Sequence, residues 1–341
     1  MATMDVFNSD AFSLTSLSGL VNKLDYKPQM LGGLGIFEPM PVRMKDVFID
    51  QRDGTLSLVQ TTSRGSPVKE LARDSRSAIS FEVPRIAKGE TLYSAEVASW
   101  RAFGTEDETT AVQTEFARRM TRVRDDMELT HEHMRLGALQ GILLDADGGT
   151  IFNYFTEFNV TQPAAVSFEL DVTTTDVAGI CRDIKRSMER SSKGAMGPGS
   201  SVHALVGDDF FDALVTHPNV EKFWINWQAA AELRGIDPWS EFKFGGITFR
   251  NYRGTDDNTT VAVAAAEAKF FPVGARDVFK HIMAPADEFT PYIGAPGQSV
   301  YSINVRDTEY GPNERWVRSE MYSYPLFMCQ RPEILRRGTL T

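Results

Sequence analysis

The sequence predicts an α+β protein built around one long helix, and three observations predict it. From Asp107 to Leu143 there is no proline, and apolar residues fall at Val112, Phe116, Met120, Val123, Met127, Met134 and Ala138. These steps of three, four and seven line one helix face. Outside that helix, Val47 to Ile49, Ala78 to Val83, Val300 to Val305 and Trp316 to Phe327 read as strands. Between them, from about Thr175 to Ala265, helix and strand signals alternate as in a compact lobe.

The helix, 107–143, is about 50 Å long at 1.5 Å per residue. Its apolar stripe repeats every ~3.7 residues, whereas a left-handed coiled coil holds close to 3.5, so a straight strut is expected. The other faces carry Arg118, Arg119, Arg122, Arg124, Asp125, Asp126, Glu128 and Glu132. Glu115/Arg119, Arg122/Asp126 and Arg124/Glu128 stand at the i,i+4 pairing distance, which predicts solvated and largely self-neutralised faces.

The chain has 341 residues, 42% hydrophobic and 24% charged, enough for one large or two ordinary domains. A net charge of -10 argues against general affinity for nucleic acid or anionic membrane, which requires clustered Lys and Arg. No apolar run approaches the ~20 residues of a membrane helix. Met1 to Leu20 lacks the basic start and apolar core of a secretory signal. Two cysteines, Cys181 and Cys329, are too few for a disulfide scaffold and imply a cytoplasmic folding environment.

Residues 1 to about 41 read as an arm, broken by Pro28, Gly32, Gly33, Gly35, Pro39 and Pro41. Val47 to Val59 reads as a hairpin turning at Asp53-Gly54, and a second extended run, Ala78 to Val83, stops at Pro84. A thin two-stranded hairpin is marginal alone, so another surface is expected to cover it. After a turn at Asp145 to Gly149, strands are expected at Ile151–Phe158 and Val166–Leu170. In the lobe, Val177, Ile180, Ile184 and Met188 mark a helix begun near Thr175. A strand follows at His203–Val206, a short helix capped by Asp208, and a helix from Asn219 to Arg234 that stops at Gly235. Phe242–Phe244 and Ile247–Tyr252 flank Gly245-Gly246 as a hairpin, and Val261–Ala265 reads as a strand.

Each catalytic or metal-binding pattern in the chain has a plainer reading. In His131-Glu132-His133 the imidazoles are two residues apart, about 200° around a helix, where a zincin needs i,i+4; a solvated face is expected. Aligning Asp145-Ala146-Asp147-Gly148 as a calcium loop puts Leu143 and Tyr154 at ligand positions, so it reads as a turn. Gly32-Gly33-Leu34-Gly35 lacks dinucleotide spacing, and there is neither a Walker sequence nor a Gly-x-Ser-x-Gly elbow. Cys181 and Cys329 read as small buried hydrophobes, and His203, His217 and His281 lack a triad context. Hence no catalytic, cofactor-binding or metal residue is assigned, and no enzyme activity is expected.

Several short stretches recur together in one known order. They include Leu20 to Pro28 and Gly35-Ile36-Phe37 in the arm, then Asp53 to Val59, Arg64-Gly65-Ser66-Pro67 and Val83-Pro84. Arg101-Ala102-Phe103-Gly104 leads into the helix. The lobe supplies Gly207 to Leu214 with His217-Pro218, Phe244 to Phe249, and Phe271-Pro272-Val273-Gly274. Pro325-Leu326 and Arg331 to Leu335 close the chain. In number and order they resemble the lambda-type (gpE-like) major capsid proteins of tailed bacteriophages.

That resemblance implies the Hong Kong 97-like fold. Its parts map to an N-terminal arm at 1–42, an extended loop at 43–104 and an axial domain at 173–289. The peripheral domain takes 105–172 and 290–341, with the spine helix at 107–143. It also implies hexamers and pentamers closing an icosahedral virion shell around packaged double-stranded DNA, assembled in the host bacterial cytoplasm. Scaffolding, portal and decoration proteins are the implied partners, with no membrane and no cofactor. An encapsulin-like compartment of the same fold is the alternative. Some relatives lock the shell with a Lys–Asn isopeptide bond. Lys69 and Lys88 lie in the loop region without a marking motif, so non-covalent closure is expected. Arg118, Arg119, Arg122 and Arg124 are a minor candidate for touching DNA.

Overall fold

In the computed structural model, residues 30–52, 76–99, 108–234, 241–252, 261–309 and 315–341 are described. The long helix is present as α3, Glu108–Gln140, after α1 (Met30–Gly33) and α2 (Ser94–Ser99). It ends three residues earlier than expected because Gly141 takes φ +81°, the left-handed C′ conformation that terminates helices. A Cβ there would lie 2.4 Å from the Phe155 ring, so the position has no room for a side chain. The expected stripe is buried from Phe116 on: Phe116, Met120, Val123, Met127, Met134 and Ala138 are all 5% exposed or less, and the Val112 side chain lies outside the described part.

Strands β1 (Glu38–Pro41), β2 (Asp46–Arg52), β3 (Arg76–Glu82) and β4 (Ile86–Tyr93) precede α3. β2 pairs antiparallel along its whole length with β3, from Asp46 opposite Glu82 to Arg52 opposite Arg76. Val47–Ile49 thus pairs with the second extended run, and the Leu56–Val59 half of the expected hairpin lies outside the described residues. The Asp53-Gly54 turn itself lies outside the described residues. β4 continues as the edge of a sheet with β14 (Trp316–Ser323) and β13 (Tyr301–Arg306), in the order β13-β14-β4.

After α3 comes a short pair, β5 (Ile142–Leu144) and β6 (Thr150–Asn153). The strand expected to run to Phe158 stops at Asn153, whose side chain accepts the Phe155 N–H and caps a one-turn helix, α4 (Tyr154–Glu157). The lobe follows as β7 (Val166–Ser167), α5 (Val177–Ser191), β8 (Ser201–Val206), α6 (Asp208–Thr216) and α7 (Pro218–Arg234). It continues with β9 (Phe242–Phe244), β10 (Ile247–Asn251), β11 (Glu267–Val273) and β12 (Phe279–Met283).

Asp176 caps α5 through the Gly179 N–H, and Val177, Cys181, Ile184 and Met188 face inward. Gly207, not Asp208, is the N-cap of α6; Asp208 lies in the first turn and accepts from Asn251. The β9–β10 hairpin turns at Gly245 and Gly246, both at positive φ, as expected of a primed turn. Val261–Ala265 is not a strand. The strand begins at Glu267, and β12 was also missed.

The chain closes through β15 (Pro325–Cys329) and β16 (Arg336–Thr339), the latter unforeseen. β16 pairs with β11 and completes a six-stranded sheet, β7-β16-β11-β8-β10-β9. The core runs through it: Phe168 stacks on Phe270, and Phe210 meets Phe168 edge-on at 5.1 Å. A third sheet, β1-β12-β15, joins the end of the arm to the lobe and to the closing strands. Residues 30–41 of the arm therefore rest on their own subunit; residues 1–29 lie outside the described part.

Candidate assembly site: the long helix, its strap and its ribbon

Two structures meet α3, the strap formed by residues 30–41 and the β4–β14 seam, while the β2–β3 ribbon packs on the segment that follows the helix, Phe152 to Phe158. The strap meets the middle of the helix, where Glu128, His131 and Glu132 are buried and Arg135 nearly so. A solvated face was expected there, because i,i+4 spacing shows which residues share a face and not what covers it. The strap, β12 and β15 cover it here, and burial is tolerated because each charge has partners.

Glu132 Oε1 accepts the Leu31 N–H at 2.7 Å and the Tyr252 hydroxyl at 3.3 Å. Its Oε2 accepts the Gly32 N–H at 3.2 Å and Arg135 at 3.4 Å. Four donors thus meet the roughly four acceptor sites of one carboxylate. A Cβ on Gly32 would stand 3.1 Å from the Arg135 guanidinium, so a side chain there would press on the cluster. Burial raises the Glu132 pKa despite these partners.

Arg135 also donates through two nitrogens to Glu128 Oε2 and lies over the Phe327 ring at 5.0 Å. Ser323 donates its one proton to the Ser299 carbonyl at 2.6 Å, so His131 Nε2–H must donate to Ser323 Oγ at 3.0 Å. His131 Nδ1 then faces Glu128 Oε1 at 3.6 Å. Burial opposes ionisation of Glu128, but His131 and Arg135 outweigh it and hold its pKa at about 2. His281 stacks on Phe327 at 4.2 Å; burial, then the fields of His131 and Arg135, push it down to about 3. His133 lies on another side, at 3.2 Å from the Asp145 carbonyl. No group of three metal-ligating side chains placed for a metal occurs among the described residues.

At the ribbon base, Val47 and Phe81 are cross-strand partners and both are buried. Phe81 packs on Phe152, Tyr154 and Phe158, with ring centroids 5.3 to 6.3 Å away. The next pair alternates outward: Phe48, opposite Ser80, is 62% exposed. Beyond the base, Arg85 binds Glu288 at 2.6 Å and covers the Tyr322 ring, while Tyr324 donates to the same carboxylate. This clasp fixes the point where the ribbon leaves the body.

Besides its buried apolar stripe, α3 is tied to the β4 region by ion pairs. Arg119 lies within 3.2 Å of Glu90, Glu96 and Glu115, and Lys88 binds Asp126 at 2.6 Å. Of the expected i,i+4 pairs only Glu115/Arg119 forms as read. Asp126 turns to Lys88, and Glu128 to His131 and Arg135. Arg118 also binds Glu115, and Arg124 is buried, so little of the expected arginine face is free. Lys69 lies outside the described residues.

Cys181 and Cys329 are both buried, and burial pushes each thiol up to about 12, which leaves them inert. A cavity beside Gln140, Lys269 and Arg336 measures about 20 Å³, room for one or two waters and not for a substrate. What the described surface does show is apolar contact area left open: Met44 and Phe48 by the ribbon, Phe223 and Ile225 on α7, and Ile293.

The profile of the phage major capsid protein E family matches residues 13–340. The chain belongs to that family. The major capsid protein of Salmonella phage Felix O1 is 25% identical to it over 95% of both chains. Two solved structures share the fold. A prophage protein of E. coli CFT073, assigned there as capsid protein, aligns with TM-score 0.58 at 11% identity, covering 96% of this chain and 99% of that one. The capsid protein of cyanophage P-SCSP1u aligns with TM-score 0.53 at 10% identity, covering 93% and 90%. This is therefore a major capsid protein of a phage, a component of the virion, with the Hong Kong 97-like fold. Its relatives are structural proteins, and the family favours a phage shell over an encapsulin-like compartment.

Proposed function

We propose that copies of this chain assemble into hexamers and pentamers that close an icosahedral head around packaged double-stranded DNA. The reading is carried by the β2–β3 ribbon. Its base, Val47 and Phe81, is buried in its own subunit, and among the described residues Phe48 stands in solvent on a two-stranded element that is marginal alone. Covering such a ribbon with a neighbour removes apolar area at about 25 cal/mol per Å², repeated at every contact of a shell.

In this reading residues 1–42 are the arm, 43–104 the extended loop, 105–172 with 290–341 the peripheral domain, and 173–289 the axial domain. Assembly takes place in the host bacterial cytoplasm, with scaffolding, portal and decoration proteins as partners. The acidic balance of the chain keeps the wall from trapping the genome. The role is structural, without catalysis or cofactor, and closure is non-covalent: Lys88 is engaged by Asp126.

Electron microscopy of the purified chain, alone and with its scaffolding protein, tests this reading. Capsomers or closed shells are expected. Monodisperse monomer under all assembly conditions would overturn it.

A further inference from the structure

The strap has an edge chemistry of its own. In the sheet β1-β12-β15, β15 is buried at every residue, whereas all four residues of β1 are exposed. β1 runs parallel to β12, with Glu38 opposite Lys280 and Pro41 opposite Met283. Just past it, Val42 N donates to Met283 O at 2.9 Å and Val42 O accepts from Gly297 N. In a parallel strand the N–H and C=O of one residue point to the same side, and successive residues alternate. Val42 faces β12, so the backbones of Met40 and Glu38 do too, and those of residues 39 and 41 face outward.

Both outward positions are proline. Neither has an N–H, so the outer edge of β1 offers two carbonyls and no donor. The strap is also held at its upstream end, where Glu132 accepts the Leu31 and Gly32 amides. Phe37 then packs on Phe279 and Phe327, each at 5.3 Å, and Lys280 binds Glu38. An exposed strand edge with free donors invites pairing with another chain, and the hazard grows with local concentration.

We propose that residues 30–41 are an edge guard: pinned by Glu132, they cover β12 and present Pro39 and Pro41 outward, so that copies of this chain do not join by strand addition. The inference rests on strand geometry alone and stands whether or not the chain builds a shell.

The test uses the full chain carrying Pro39→Thr and Pro41→Thr together, which restores two outward donors. Met40→Thr, whose backbone faces β12, is the control. Light scattering at matched concentration should rise several-fold faster for the double variant, with an infrared signature of intermolecular sheet, while Met40→Thr follows the parent. Amide exchange gives a second readout on each single proline variant in its monomeric fraction. The new amide at position 39 or 41 should exchange rapidly, because it faces solvent. Equal association of the double variant and the control, or slow exchange at both new amides, would overturn the proposal. Shell formation is scored separately by microscopy, so loss of shells without a change in these readouts bears only on the proposed function.

Discussion

The Glu132 carboxylate holds the Leu31 amide at 2.7 Å across 101 residues of sequence, joining the arm to the centre of the long helix. The pair is wholly buried, so its strength is decided by whether every donor around the carboxylate finds an acceptor.

Glu132→Ala should therefore loosen the strap. The substitution leaves the Leu31 and Gly32 amides and the Tyr252 hydroxyl without their acceptor, at about 1–3 kcal/mol for a buried group left unpaired. A total loss of about 2–4 kcal/mol is expected in urea denaturation. Hydrogen exchange at Leu31 and Gly32 should accelerate while α5 amides stay protected. Unchanged exchange at both positions would show that Phe37 and β1 hold the strap without the carboxylate.

Acid should destabilise the fold through two groups of the same sign. His281 sits at about 3 against the usual 6.5, so its contribution is full above 6.5 and erodes below it as the unfolded chain takes up the proton. Glu128, at about 2 against 4.5, contributes above 4.5, and that contribution is lost as the pH falls toward 2. Glu132 has the opposite sign: its raised pKa favours the fold below 4.5 and loses that effect as the pH rises through its folded value. The denaturation midpoint is expected to fall steadily below pH 6.5. His281→Phe, which keeps a ring on Phe327, should flatten the profile between 6.5 and 4.5. Over those two pH units the effect is limited to about 3 kcal/mol, at ~1.4 kcal/mol per pKa unit.

Phe48→Asp should separate folding from assembly. Phe48 faces solvent opposite Ser80, so subunit stability is expected to change by no more than about 0.5 kcal/mol. Particle yield by sedimentation and microscopy should drop sharply. Normal shells from this variant would remove the ribbon face from the contact.

Gly141→Ala tests the helix stop. The new side chain would need φ +81° and would enter the Phe155 ring. A loss of more than about 1 kcal/mol is expected, read as a lower urea midpoint with unchanged slope.

Local chemistry made much of this legible. The stripe from Phe116 to Ala138, the helix ending at Ser191, the Gly245-Gly246 hairpin and the closing strands β13 and β14 each carry their own periodicity or turn residues. Where reading failed, the deciding partner was distant or the signal was mixed. Asn153 reads as a strand residue until its side chain caps α4. β11 carries Pro272, which argues against a central strand, yet its pairing with β16 ends at Phe270, before the proline. β16, Arg-Arg-Gly-Thr, has no apolar alternation, and its place is set by β11 and β7.

The polar cluster was harder still. Nothing in the spacing of Glu128, His131, Glu132 and Arg135 distinguishes a wet face from a buried one, since periodicity is blind to what lies opposite. The close approach of Gly32 to Arg135 exists only in the folded chain.

By itself the sequence determined the long helix, the α+β character, the lobe and the family, because each rests on contacts within a few residues or on motifs in order. Only the tertiary structure decided that the arm comes home to Glu132, that β2 pairs with β3, and that Pro39 and Pro41 turn outward on β12. The physical reason is the same in each case: strand partners and buried-charge partners lie tens to hundreds of residues away, and hydrogen-bond geometry, which selects them, leaves no periodic trace along the chain.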